Sequence, residues 1–232
     1  MLDIHSHVLP GVDDGATDEK AAVDMLKAAR LAGIDRLVAT PHIKRESEVE
    51  RCRVAYDRLF KTAEEIGIDL VLGCELSVRV LVNYPVSPDR LARYTIGNTN
   101  FVLLEFPFDA PPVDWEYLIS DINRLGYHVI IAHPERYQYI ARDLGIAQAL
   151  VSYGCELQLD ASSLLASRFS SERRAASTLM DRGYLSYIAS DAHNSADFVT
   201  FLKAYHSFAK SWPVDGLLNQ SIFPLTMSFP TG

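Results

Sequence analysis

Cysteine is scarce in this chain of 232 residues: there are three, Cys52, Cys74 and Cys155, and no C-x-x-C pair. That excludes a disulfide scaffold and leaves no thiolate zinc site. Long apolar runs are missing as well. Phe101 to Leu104 and Val129 to Ala132 fall far short of the roughly 20 residues that cross a bilayer. No block of lysine and arginine occurs, and acidic residues outnumber basic ones by 30 to 22, for a net charge of -8. Such a balance disfavours a surface that grips nucleic acid or anionic lipid. Met1 leads straight into Leu2-Asp3-Ile4, without the basic and apolar regions of a signal peptide. No glycine-rich phosphate loop follows the first apolar run, which argues against a dinucleotide site. These absences predict a cytoplasmic protein in a reducing compartment, without membrane insertion. The composition is ordinary for a globular chain, 48% hydrophobic and 22% charged, and 1–232 reads as a single domain. Within it, 211–232, with Pro213, Pro224 and Pro230, reads as an irregular tail.

What is present is an alternation of short apolar runs with longer amphipathic ones. The predicted strands are Leu2 to His5, Arg36 to Thr40, Asp69 to Gly73, Phe101 to Phe106, His128 to Ala132, Cys155 to Leu159 and Leu185 to Ala189. Predicted helices lie between them: Asp18 to Leu31, Ser47 to Ile66, Asp114 to Leu125, Leu144 to Tyr153 and Glu172 to Arg182. Each carries apolar residues at helical spacing, and a glycine soon follows: Gly33, Gly67, Gly126, Gly154 and Gly183. Repeated βα units of this kind build an α/β fold with a parallel sheet. Seven units favour a closed or nearly closed barrel over an open sheet, although the pattern alone does not decide between them.

The residues at the strand ends carry the chemistry. They are His5 and His7, His42, Glu75, Glu105, His133, Asp160, and Asp191 with His193. In parallel α/β folds these carboxyl ends converge on one rim, where sites are built. Singly, each has an ordinary explanation: a glutamate emerging into water, a turn after Thr40-Pro41, or a helix cap at Asp191. Nine nitrogen and oxygen donors together favour metal. Imidazole mixed with carboxylate, without thiolate, suits Mn²⁺, Fe²⁺ or Zn²⁺ at a catalytic site, and so many donors call for two or three ions. Clustered divalent ions suit hydrolysis of phosphate esters.

The wording of these segments resembles a known family. Asp3-Ile4-His5-Ser6-His7, Val12-Asp13-Asp14-Gly15, Ala39-Thr40-Pro41-His42, Gly73-Cys74-Glu75, Leu104-Glu105-Phe106, His133-Pro134-Glu135-Arg136-Tyr137 and Ser190-Asp191-Ala192-His193-Asn194 occur in that order. They are similar to the polymerase-and-histidinol-phosphatase (PHP) superfamily, and within it to the metal-dependent protein-tyrosine phosphatases of bacterial capsule and exopolysaccharide operons. The resemblance runs from residue 1 to about 195. It implies a distorted (β/α)7 TIM-like barrel with a metal site at the carboxyl rim of the strands. It implies the ligands His5, His7, Asp14, His42, Glu75, Glu105, His133, Asp191 and His193, with Glu75 bridging two ions. The ions would be Mn²⁺, two or three of them, with Fe²⁺, Zn²⁺ or Mg²⁺ as substitutes. Asp14 enters through the resemblance alone, whereas Asp160 loses support and remains a residue near the ligands.

The implied reaction is hydrolysis of phosphotyrosine on a protein without a cysteinyl-phosphate intermediate. The implied substrate is the tyrosine-rich tail of a bacterial tyrosine kinase that regulates polysaccharide synthesis. Catalytic roles fall to Arg136, forked onto phosphate oxygens, and to Asp191 and His193. Without the resemblance, Arg136 reads as a surface arginine paired with Glu135 or Asp143. Phe106, Phe108 and Tyr137 would line the path of the tyrosine ring. One departure stands out: relatives carry an arginine and two prolines shortly after Asp-x-His-Asn, and Ser195 to Phe201 has neither. Two other readings remain open, a small-molecule phosphatase of the histidinol-phosphate type and a metal-stabilised binding module without turnover.

Overall fold

The structure is a computed structural model, and it describes residues 1–82 and 85–208. The proline-rich tail predicted at 211–232 lies outside the described residues. Among the described residues, nine strands occur in chain order: β1 (Leu2–Ser6), β2 (Arg36–Ala39), β3 (His42–Ile43), β4 (Asp69–Leu72), β5 (Glu75–Ser77), β6 (Phe101–Glu105), β7 (His128–Ala132), β8 (Glu156–Asp160) and β9 (Leu185–Ala189). The longer helices are α1 (Glu19–Leu31), α2 (Val49–Ile66), α3 (Trp115–Arg124), α4 (Gly145–Ser152), α5 (Ser171–Asp181) and α6 (Ser195–Phe208). A 3-10 turn, Pro134–Arg136, follows β7, and a short helix, Ala161–Leu165, follows β8.

Helix boundaries follow local chemistry. The Asp18 side chain accepts the Ala21 amide and starts α1, which buries Ala22, Met25, Leu26 and Ala29. Gly67, at φ 85°, ends α2 in the left-handed conformation, and its amide reaches back to the Ala63 and Glu64 carbonyls. The five predicted helices differ from the observed ones by no more than two residues at either end, and the first two end where predicted, at Leu31 and Ile66. At the start of α2, the predicted first turn is instead the 3-10 segment Glu46–Glu48.

All ladders between the strands are parallel, but they form two sheets, ordered β1-β2-β4 and β3-β5-β6-β7-β8-β9. The expected closed barrel is therefore not found among the described residues. Two of the predicted seven strands end one residue earlier than expected, at Ala39 and Leu72, and beyond Thr40-Pro41 and Gly73-Cys74 the chain forms the short strands β3 and β5 in the other sheet. Pro41 has no amide to donate to a ladder, which suits it to such a break. On the far side of β4, the Gly97 amide donates to the Leu72 carbonyl (2.7 Å), and Thr95 bridges Val102 antiparallel. This segment takes the place a direct β4–β6 pairing would have had. Ile96 is buried there with Ile4, Val38, Leu103, Ile130 and Tyr187, side chains drawn from both sheets. The larger core lies between strands and helices and includes Met25, Leu59, Ile119, Leu179 and Phe198. At the carboxyl ends, β1 meets the segment after β9: the His7 amide donates to the Ala192 carbonyl (2.8 Å) and the Asp191 amide to the His5 carbonyl (3.0 Å).

Candidate metal centre

His5 and His7 stand two residues apart along extended backbone, so both rings face the same side. Both are fully buried. His5 Nδ1 donates to Gln158 Oε1 (2.9 Å), and His7 Nδ1 donates to Asp13 Oδ2 (2.8 Å). With Nδ1 occupied on each ring, the two Nε2 atoms turn inward and lie 3.2 Å apart. Acceptors that fix one imidazole nitrogen and aim the other are the usual support of a metal-ligating histidine.

Glu75, at the start of β5, is the hub. Its Oε1 lies 2.7 Å from His133 Nε2, and its Oε2 lies 2.7 Å from His42 Nδ1 and 3.5 Å from His5 Nε2. Burial alone would raise its pKa, yet the His5, His133 and His42 rings hold it well below the usual carboxylate range. Asp191 Oδ1 closes the other side, 3.3 Å from His5 Nε2 and 3.2 Å from His7 Nε2. Burial works against a charged imidazole, but Asp191 and Glu75 lift His5 to about 9, and Asp13 and Asp191 lift His7 to about 10. Protons and divalent cations compete for positions of this kind.

Three groups of donor atoms each fall within 4.8 Å of one another: His7, Asp14, His42 and His193; His5, His7 and Glu75; and His42, Glu75 and Glu105. His7, His42 and Glu75 each belong to two groups. His133 joins through Glu75 and Asp191 through His5 and His7, so all nine residues implied by the resemblance meet at one rim. Asp14 is the loosest of them, with its side chain 68% exposed and Oδ1 3.5 Å from both His42 Nε2 and His193 Nε2. His133 (φ 32°) and Asp191 (φ 48°) both hold left-handed backbone, a costly conformation for side chains other than glycine and one that clusters at functional sites.

The donor set passes a direct test of fit to divalent ions. Four buried atoms of the cluster, His42 Nδ1, Glu75 Oε2, His133 Nδ1 and Asp191 Oδ1, make no hydrogen bond. His42 Nδ1 and Glu75 Oε2 remain unbonded although 2.7 Å apart, because they are misaligned for a hydrogen bond. Unpaired polar atoms in a protein interior are costly, and bound cations would give partners to those that face the donor groups, as His42 and Glu75 do.

Arg136 Nη1 donates to Asp191 Oδ2 (2.7 Å), rather than to Glu135 or Asp143, and its guanidinium stands 5.4 Å from the centre of the Phe108 ring. The cluster opens into a cleft of about 620 Å³ that Lys44, Arg79, Phe108 and Arg136 also line. A larger groove of about 1080 Å³, beside α2 and β4, contains none of the three donor groups.

Several roles differ from expectation. Of the three predicted aromatics, Phe106 and Phe108 line the cleft, Phe106 almost fully buried and Phe108 exposed, whereas Tyr137 is buried behind them and its hydroxyl accepts the Phe106 amide (2.9 Å). Asp160 caps the helix after β8 by accepting the Ser162 amide (2.8 Å). All three cysteines are buried, and burial pushes Cys52 up to about 11 and Cys155 up to about 12. Asp13 and Gln158 have supporting roles that sequence reasoning missed. A glutamine inside the apolar run Leu157-Gln158-Leu159 was the signal for one, since a buried amide needs a partner. Gly15 also has a packing reason, because an added Cβ would run into the His7 carbonyl oxygen.

Comparison with known proteins agrees with this geometry. The family of capsular polysaccharide synthesis proteins CpsB/CapC matches residues 1–207. The tyrosine-protein phosphatase YwqE of Bacillus subtilis is 35% identical over 200 residues, covering 84% of this chain and 78% of YwqE. The tyrosine-protein phosphatase CpsB of Streptococcus pneumoniae is 24% identical over 221 residues, covering 91% of each. A crystal structure from work on YwqE and CpsB, described there as metal-dependent tyrosine phosphatases, superposes with a TM-score of 0.73 at 29% identity and covers 96% of both chains. The chain belongs to the CpsB/CapC family of capsular polysaccharide synthesis.

Proposed function

We propose that this chain is a metal-dependent phosphomonoesterase that removes phosphate from tyrosine on a protein substrate. The observation that carries the reading is the buried convergence of His5 Nε2, His7 Nε2, Glu75 and Asp191, with four polar atoms of the cluster left unpaired. His5, His7, Asp14, His42, Glu75, Glu105, His133, Asp191 and His193 would hold two or three ions, Mn²⁺ by preference, with Fe²⁺, Zn²⁺ or Mg²⁺ as substitutes. Glu75 would bridge two of them, in keeping with its place in two donor groups. The two sheets are read as one distorted seven-unit barrel, which is how strand ends so distant in sequence share a rim.

Bound divalent ions supply Lewis acidity and positive charge, by which water becomes a nucleophile at neutral pH and phosphate is neutralised. The chain's own residues do the rest. Asp13 and Gln158 fix the His7 and His5 rings so that their Nε2 atoms face inward. Asp191 holds Arg136 at the mouth of the cleft, where a guanidinium can fork onto two phosphate oxygens. No cysteine lines this cleft, so no thiol is placed to take up the phosphoryl group. The substrate is read as the tyrosine-rich tail of a bacterial tyrosine kinase, met in the cytoplasm. Among the described residues no helix is long and apolar enough to cross a membrane.

The test is phosphate release from a phosphotyrosyl peptide, with histidinol phosphate alongside, in chelated protein before and after Mn²⁺ is added. Release from the peptide that returns with Mn²⁺ is expected. Release chiefly from histidinol phosphate, or none from either with ions bound, would overturn the reading.

A further inference from the structure

The cleft must accept whatever is attached to the phosphate as well as the phosphate itself. A phosphoryl group held beside the metal cluster and Arg136 would leave its ester group on the open side of the cleft. Around that rim the lining is mostly charged, with Asp14, Lys44, Arg79 and Asp109. The apolar part is Phe106-Pro107-Phe108, in the segment that follows β6. Phe108 is 39% exposed, whereas Phe106 beside it is 1% exposed.

The Phe108 ring is held from several sides. It lies nearly parallel to the His133 imidazole, with centroids 5.9 Å apart and planes at 14°. It meets Tyr137 edge-on, with centroids 5.7 Å apart. The Phe108 carbonyl accepts the Gln138 amide (2.8 Å), which ties its loop to the segment bearing His133 and Arg136. A ring supported in this way loses little freedom on meeting a ligand, and preorganisation of that kind favours binding.

We propose that Phe108 is the specificity-determining residue that makes this cleft prefer aryl over alkyl phosphates. Its ring forms an apolar wall for the leaving group beside the phosphate site. Offset or edge contacts between aromatic rings add affinity beyond area burial. This rests on the phosphatase reading above and names the part of the cleft that selects its substrate.

The experiment measures binding rather than turnover, by calorimetry on metal-loaded protein, with benzylphosphonate and ethylphosphonate as non-hydrolysable probes. The unchanged protein is expected to bind benzylphosphonate more tightly. Phe108→Ala should weaken benzylphosphonate roughly three- to tenfold, leave the Kd of ethylphosphonate within about twofold, and leave metal content unchanged. Phe108→Tyr should restore the preference. Equal weakening of both probes would show that Phe108 only props His133 and Arg136, and would overturn the proposal. So would a protein that hydrolyses phosphotyrosine yet binds both probes alike, and that result would leave the functional reading intact. A protein that binds neither probe and releases no phosphate would instead refute the functional reading, and this inference with it.

Discussion

Asp13 accepts three hydrogen bonds, from His7 Nδ1 (2.8 Å), the His42 amide (3.1 Å) and the Gly15 amide (3.1 Å). Asp13→Ala therefore removes the acceptor that sets the His7 tautomer and leaves two amides in the same wall unpaired. Loss of a partner behind a metal-ligating histidine costs about 10- to 100-fold in metal affinity, or about 1.4–2.7 kcal/mol. Unpaired donors cost about 1–3 kcal/mol each when buried. Because the cleft lets water reach some of them, the metal-free fold should lose about 2–4 kcal/mol in all. Asp13→Asn keeps an acceptor oxygen but loses the charge facing His7, and should fall between the two. The assay is a Mn²⁺ titration by calorimetry, paired with thermal unfolding in chelator. Turnover at saturating Mn²⁺ should fall less than affinity does, because Asp13 acts through His7. Unchanged Mn²⁺ affinity in Asp13→Ala would refute the idea that this carboxylate orients a ligand.

Arg136→Ala should lower kcat on a phosphotyrosyl peptide about 100-fold, as expected for removal of a charged group that stabilises the transition state, while metal content stays the same. A parallel fall in metal would show that Arg136 serves to hold Asp191 instead. With Cys52 raised to about 11 and Cys155 to about 12, and Cys74 raised further by burial, the thiols stay protonated until the pH is far above neutrality. Iodoacetamide at pH 7.5 should thus spare activity. Rapid inactivation that Cys74→Ser abolishes would contradict that expectation.

The parts of the site legible in the sequence were those set by local periodicity. His5 and His7 declare themselves through the two-residue repeat of a strand. His133 and Asp191 do so by standing where apolar runs end, and helix limits such as Gly67 follow from backbone geometry. What escaped depended on long-range contacts. Nothing near Arg136 in the chain points to Asp191 as its partner, and Gln158 pairs with His5 across 153 positions. The three aromatics looked alike in sequence, yet packing buries Phe106 and Tyr137 and leaves Phe108 at the mouth. The two sheets could not be foreseen either. Thr40-Pro41 and Gly73-Cys74 read as strand ends, and only the register shows His42 and Glu75 starting short strands beyond them.

The central claim is that nine side chains on one rim hold a cluster of divalent ions. Its most direct test is the number of Mn²⁺ ions retained per chain after equilibrium dialysis, counted by elemental analysis in the unchanged protein and in Glu75→Ala. The account predicts two or three ions in the former, and a loss of at least one in the latter together with its hydrolysis of phosphotyrosine. A single ion per chain, or an equal count in Glu75→Ala with activity intact, would contradict it.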